Sequence, residues 1–111
     1  MYKIYAVSDS IGETSELVAR ATASQFGGKI DVERVPYLKT VGDVDHFIET
    51  IDDYSKVMIV STIITLEVRK YLVGKCIDNN IHVINILGPC ISMASMMLNT
   101  VPEYKPGAIW G

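Results

Sequence analysis

Four apolar runs, each followed by a helix-length segment, constrain this chain more than any other feature. The runs are "KIYAVS" (3–8), "DVERVPY" (31–37), "KVMIVST" (56–62) and "HVINIL" (82–87). Three of them are nearly continuous β-branched or apolar stretches instead of strict alternations. Strands covered on both faces read that way, and parallel sheets are covered on both faces. The second run alternates more and carries Pro36, which places it at a sheet edge.

The intervening segments carry helical periodicity. The first, over 12–26, is expected to turn Leu17, Val18, Ala21 and Phe26 to the sheet, with Glu16 and Arg20 paired on the wet side. It stops at Gly27 and Gly28, a usual helix end. The second, over 41–52, spaces Val44, Phe47, Ile48 and Ile51 along one stripe. The third begins at Thr65 and aligns Val68, Leu72 and Cys76, ending at Asn79-Asn80. The fourth runs over 89–99 with Pro89 in its first turn. Such alternation predicts an α/β fold, a three-layer Rossmann-like or flavodoxin-like sandwich. Its four-stranded parallel sheet has order 2-1-3-4, the first and third strands are central, and two helices lie on each face. Residues 1–99 form the domain. The last stretch, 100–111, reads as a connector toward a further C-terminal catalytic half, because its prolines and glycine interrupt the pattern before Ile109 and Trp110.

Composition narrows the function class. The 111 residues are 49% hydrophobic and 21% charged, which is globular and enough for a real core. A net charge of −3, with ten basic residues scattered among thirteen acidic ones, argues against a nucleic-acid surface. The start of the chain has no secretory leader pattern and the longest apolar run is too short to span a bilayer, so a cytoplasmic protein without membrane attachment is expected. Cys76 and Cys90 are expected to be buried reduced thiols. They do not cluster with His46 or His82, so no metal site is assigned.

In open α/β sheets ligands bind beyond the carboxyl ends of the strands. Those ends carry Ser8, Asp9 and Ser10 after the first run, Ser61 and Thr62 after the third, and Asn85, Gly88 and Cys90 around the fourth. The turn "SDSIGET" (8–14) supports two readings. Ser10-Ile11-Gly12-Glu13 has the spacing of a capping box, which accounts for Ser10 and Glu13 with no ligand. Alternatively Gly12 allows close backbone approach, and the N–H groups of the first helical turn favour an anion. Asp9 and Glu13 oppose an anion, and no Lys or Arg within the turn offsets them. Neither a P-loop nor a GxGxxG pattern occurs. The fourth helix, "PCISMASMMLN", is apolar all round and without charge, which predicts burial on more than one side and an adaptable, methionine-lined contact.

The stretches "IYAVSDSIGETSELVARATASQF", "VMIVSTIIT", "HVINILGP" and the late "KPG" together resemble the N-terminal half of the pyruvate, phosphate dikinase regulatory proteins and the related pyruvate, water dikinase regulators. The resemblance runs in order through essentially the whole chain, and "SDSIGET" is its most specific part. It implies a bifunctional enzyme, which phosphorylates a dikinase threonine with ADP and removes the phosphate with inorganic phosphate, releasing pyrophosphate. The implied partners are pyruvate, phosphate dikinase or pyruvate, water dikinase; a homodimer through the fourth helix is expected separately, from that helix's apolar surface. Family members are more than twice as long and carry their phosphate loop in the C-terminal half, so no catalytic residue is assigned here and the piece alone is expected to be inactive. The resemblance carries nucleotide-site candidacy only to Ser8, Asp9, Ser10, Gly12, Glu13 and Thr14. Two readings from other classes stand beside it. One is a non-catalytic protein-interaction module and the other a small-ligand-binding α/β domain. A phosphoacceptor receiver is disfavoured, since the third run ends in Ser61-Thr62 with no aspartate.

Overall fold

A computed structural model describes residues 1–105; the expected features at Ile109 and Trp110, and the second half of the 100–111 connector, lie outside them. Four strands, β1 (Tyr2–Val7), β2 (Ile30–Val35), β3 (Val57–Ser61) and β4 (His82–Asn85), alternate with four helices, α1 (Glu13–Ala23), α2 (Val41–Glu49), α3 (Leu66–Asp78) and α4 (Gly88–Leu98). The sheet order is β2-β1-β3-β4 and every pairing is parallel, with Ile4 beside both Val32 and Met58. The fold is the α/β sandwich that the strand and helix periodicities predict, with β1 and β3 central and Pro36 just beyond the edge strand β2.

The sheet separates two cores. On one side α2 and α3 bury Val44, Phe47, Ile48, Val68, Leu72 and Cys76 against Tyr5, Val7 and Ile59. Tyr5 meets Phe47 edge-on at 5.1 Å between ring centroids. α2 starts in a capping box: the Asp43 N–H donates to Thr40 Oγ1 at 3.1 Å, and the Thr40 N–H to Asp43 Oδ2 at 3.1 Å. The Lys39 N–H also donates to that carboxylate, and this bond is the main cause of its lowered pKa. Tyr71 Oη donates to Asp45 Oδ1 at 2.7 Å and joins α3 to α2.

On the other side α1 packs over β1 and β2, and here the expected face is corrected. Ser15, Ala19 and Ala23 are the buried residues, at i, i+4 and i+8, against Ile4, Ala6 and Val60. Leu17 is 70% exposed, and Val18, Ala21 and Phe26 also face outward. A stripe of small side chains lets the helix axis approach the sheet closely, a gain that a search for large apolar residues overlooks. The Ser15 hydroxyl is satisfied by donating to the Gly12 carbonyl at 3.2 Å. After Ala23 a 3-10 turn over Ser24–Phe26 ends at Gly27 and Gly28, both with positive φ.

The expectation of two helices on each face is also corrected. α4 has no buried residue and belongs to neither core. Cys90, expected to be buried, is exposed on it, while Cys76 is buried and its thiol pKa is pushed up to about 11 by desolvation.

Candidate functional site

The turn after β1 is built by hydrogen bonds that reach across the C-terminal edge of the sheet. The Ser8 N–H donates to the Val35 carbonyl (3.1 Å), the Leu38 N–H to the Ser8 carbonyl (2.9 Å) and the Tyr37 N–H to the Ser10 carbonyl (3.0 Å). The chain after β1 is therefore stitched to the chain after β2, with Tyr37 in the left-handed region at φ 61°. Ser8 Oγ accepts from the Ser10 N–H at 3.0 Å and lies 3.3 Å from Ser10 Oγ.

Asp9 turns inward, away from the turn. It is 3% exposed, and its Oδ2 accepts from the N–H groups of Ile64 and Thr65, each at 2.9 Å. Thr65 is the N-cap residue of α3 and its own side chain makes no cap bond. The Asp9 carboxylate supplies both the acceptor and the negative charge that this helix start favours. The rest of the rim is satisfied in the same way. Ser61 Oγ accepts from the Ile63 N–H (3.1 Å), and Thr62 donates through its N–H to the Val7 carbonyl (3.1 Å). Asn85 Oδ1 accepts from the N–H groups of Leu87 and Gly88, while its Nδ2 donates to the Ile63 carbonyl.

The capping box expected at Ser10 and Glu13 is not formed. Gly12, at φ 85°, is the N-cap of α1, and no side chain caps the helix. The left-handed residue moves the helix start two positions beyond Ser10, whose N–H and carbonyl are already engaged by Ser8 and Tyr37. The spacing Ser-x-x-Glu is present but displaced relative to the helix. The box that does form, at Thr40 and Asp43, has the same signature with aspartate in place of glutamate.

A second correction concerns charge. Arg34 enters from β2, where it pairs in register with Ala6 on the α1 side. Its Nη1 donates to the Ile11 carbonyl at 3.2 Å, and its Nε and Nη2 donate to Glu16 Oε1 at 2.9 and 2.7 Å. Arg34, then Arg20, hold the Glu16 carboxyl below its ordinary value of 4.5. A Cβ at Gly12 would stand 3.2 Å from Arg34 Cγ, so the glycine is required both by its φ and by this side chain. Arg34 is not legible as part of the turn because it reaches Ile11 from 23 residues away, on β2. The available signal was the period of two along 31–35, which puts Val32 and Arg34 on one face with Ala6.

Of the six candidates, Ser8, Asp9, Ser10 and Gly12 come together in the turn, whereas Glu13 and Thr14 are exposed in the first turn of α1. Asp9 is committed to α3, so one of the two carboxylates expected to repel an anion is turned away and hydrogen-bonded. Glu13 remains, and Arg34 borders the turn with its charge shared with Glu16. Without a side-chain cap, the first-turn N–H groups of α1 are what an anion would meet. Among the described residues no group of three His, Cys, Asp or Glu side chains is placed to hold a metal ion, and no helix is long and apolar enough to cross a membrane.

A parallel α/β domain with an uncapped helix behind a serine-rich turn belongs to the broad class whose sites lie at strand ends. The particular family follows from sequence. Residues 4–111 match the kinase/pyrophosphorylase family model, and the chain belongs to that family. It is similar to pyruvate, phosphate dikinase regulatory proteins from Clostridium botulinum strain 657 (57% identical over 110 residues) and Clostridium perfringens strain SM101 (56% over 110). In each case the match covers 99% of this chain and 41% of the relative. The chain thus spans about two fifths of the length of these curated relatives.

Proposed function

We propose that this chain is the N-terminal α/β part of a cytoplasmic pyruvate, phosphate dikinase regulatory protein, inactive alone and catalytic only at family length. The observation carrying this reading is the 57% identity to proteins of that name across 99% of the chain. At family length, the β-phosphoryl group of ADP passes to a threonine hydroxyl of the dikinase, leaving AMP. In the reverse regulation inorganic phosphate takes that phosphoryl group, so that pyrophosphate departs and the hydroxyl is restored. In this division of labour, Ser8, Ser10, Gly12, Glu13 and Thr14 form one wall of the nucleotide site, with Asp9 holding that wall against α3. The phosphate loop of the other part supplies positive charge beyond that of Arg34, which is shared with Glu16. The target is pyruvate, phosphate dikinase, with pyruvate, water dikinase as the second candidate.

The test incubates the family-length protein with each purified dikinase. Expected are ADP-dependent phosphothreonine on one of them, and its removal by inorganic phosphate with release of pyrophosphate. Absence of both reactions on both dikinases would refute the activity. The 111-residue chain should show neither reaction, and ADP should barely raise its melting temperature.

A second reading, a protein-interaction module, is favoured by α4. Met93, Met96, Met97 and Leu98 are all exposed on it, an apolar surface of the kind that soluble monomers seldom leave open. We place the homodimer contact of this chain there.

A further inference from the structure

One side of the sheet is only half covered. α1 lies over β2 and β1 and reaches β3 at its margin, but not β4. Val60 of β3 and Ile84 of β4 are register partners and therefore share the α1 side, yet Val60 is buried and Ile84 is 52% exposed. The pair below them, Met58 and His82, also faces this way, and His82 is exposed. An open groove of about 240 Å³ continues from this face toward the foot of the sheet, where Tyr2, Ile30, Met58 and Lys56 line it. The opposite side of the same strands has no such gap, since Val57 and Val83 pack into the α2–α3 core.

Handedness decides where a covering element can come from. Right-handed crossovers place connections that run one way across a sheet on one face and those that return on the other. The β1 to β2 connection puts α1 on its side, and the two connections running toward β4 put α2 and α3 opposite. An element completing the α1 side over β3 and β4 therefore follows β4 in sequence. α4 follows β4 but joins neither core. The curated relatives have about three fifths of their length outside the matched region.

We infer that the α1-side face of β3 and β4, centred on Ile84, is the docking surface for an amphipathic helix from the part of the family-length chain beyond residue 111. That helix lies beside α1, sets an apolar stripe on Met58, Ile84 and Ile86, and brings a carboxylate to Lys56 at the groove's foot. The inference rests on the reading of this chain as the N-terminal part of a longer family protein. It does not depend on the reaction that protein performs.

Thiol labelling tests it directly. Ile84→Cys is made in a Cys90→Ser background, where Cys76 is buried, in both the 111-residue chain and the family-length protein. Maleimide should label the introduced thiol at least tenfold more slowly in the family-length protein. Equal rates in the two would overturn the inference. So would slow labelling of the short chain, whether it grows with concentration, which marks a second copy, or is independent of it, which marks α4 folding onto the face. Hydrogen exchange of the unsubstituted proteins gives a readout free of mutation: the β4 amides over 82–85 should exchange more slowly at family length, and unchanged exchange counts against the docking. Slower labelling in a protein that phosphorylates no dikinase would sink the proposed activity and leave this surface standing.

Discussion

A carboxylate that is 3% exposed and accepts two backbone N–H bonds, as Asp9 does, is a structural anion before it is anything else. Asp9→Ala leaves the Ile64 and Thr65 N–H groups without their acceptor beside a helix start, and should destabilise the fold by about 3 kcal/mol. Asp9→Asn keeps one acceptor oxygen and should cost roughly half of that. Urea unfolding at constant m-value measures both. Ser10→Ala, by contrast, should hardly move the midpoint, because Ser10 caps no helix. Arg34 makes a pH prediction. Its guanidinium is the first cause that depresses Glu16, with Arg20 second. A carboxyl depressed in the folded state contributes stability that is complete above its unfolded value of about 4.5 and is lost as pH falls through the lower folded value. Melting temperature should therefore decline below about pH 4.5, and Arg34→Gln should flatten that decline, most visibly at low salt. An unaltered acid limb would mean that the pair is too well solvated to matter. The candidate turn was legible at Ser8, Ser10 and Gly12 because small and polar residues crowd a strand end. The roles of Asp9 and Arg34 were not, since both are fixed by partners at least 18 residues away, at Ile64, Thr65 and Glu16.

At the scale of elements, periodicity and burial agree for α2 and α3 and part company for α1. The stripes Val44-Phe47-Ile48 and Val68-Leu72-Cys76 were readable because their large apolar residues are the buried ones. In α1 two stripes compete, one of Leu17, Val18 and Ala21 and one of Ser15, Ala19 and Ala23, and the smaller side chains win the sheet. Close approach of helix to sheet, not transfer of the largest side chain, sets the choice. The substitutions that follow have opposite sizes of effect from those a hydrophobicity count suggests. Leu17→Ala should change the stability of this chain by less than about 0.5 kcal/mol. Ala19→Leu should cost about 1–3 kcal/mol by wedging α1 off β1. Thermal melts of the two variants separate the stripes, and a large loss in Leu17→Ala would reverse the assignment of faces.

For the whole molecule, the strand order and the parallel sense were readable because right-handed crossovers leave few ways to connect alternating strands and helices. The distribution of helices was not, because α4 has the apolar composition of a helix packed on a sheet and yet buries no residue. Two apolar surfaces result, and they lie on different elements: the β3–β4 face at Ile84, and the outer side of α4. The first lies open beside α1 at Ile84, 52% exposed, and borders the groove that Met58 and His82 line. The second is the exposed side of α4, with Met96 and Met97 each 79% exposed. A patch of flexible methionines suits a self-complementary contact across a two-fold axis, where the same helix supplies both sides. Sedimentation equilibrium of the 111-residue chain should accordingly show a monomer–dimer equilibrium, and Met93→Lys with Met97→Lys should shift it to monomer by opposing like charges at the axis. Ile84→Lys should leave that equilibrium unchanged, since the sheet face takes no part in it. A chain that stays monomeric at high concentration would remove α4 as a dimer contact. Dissociation of the dimer by Ile84→Lys would instead show that the two surfaces meet each other between copies.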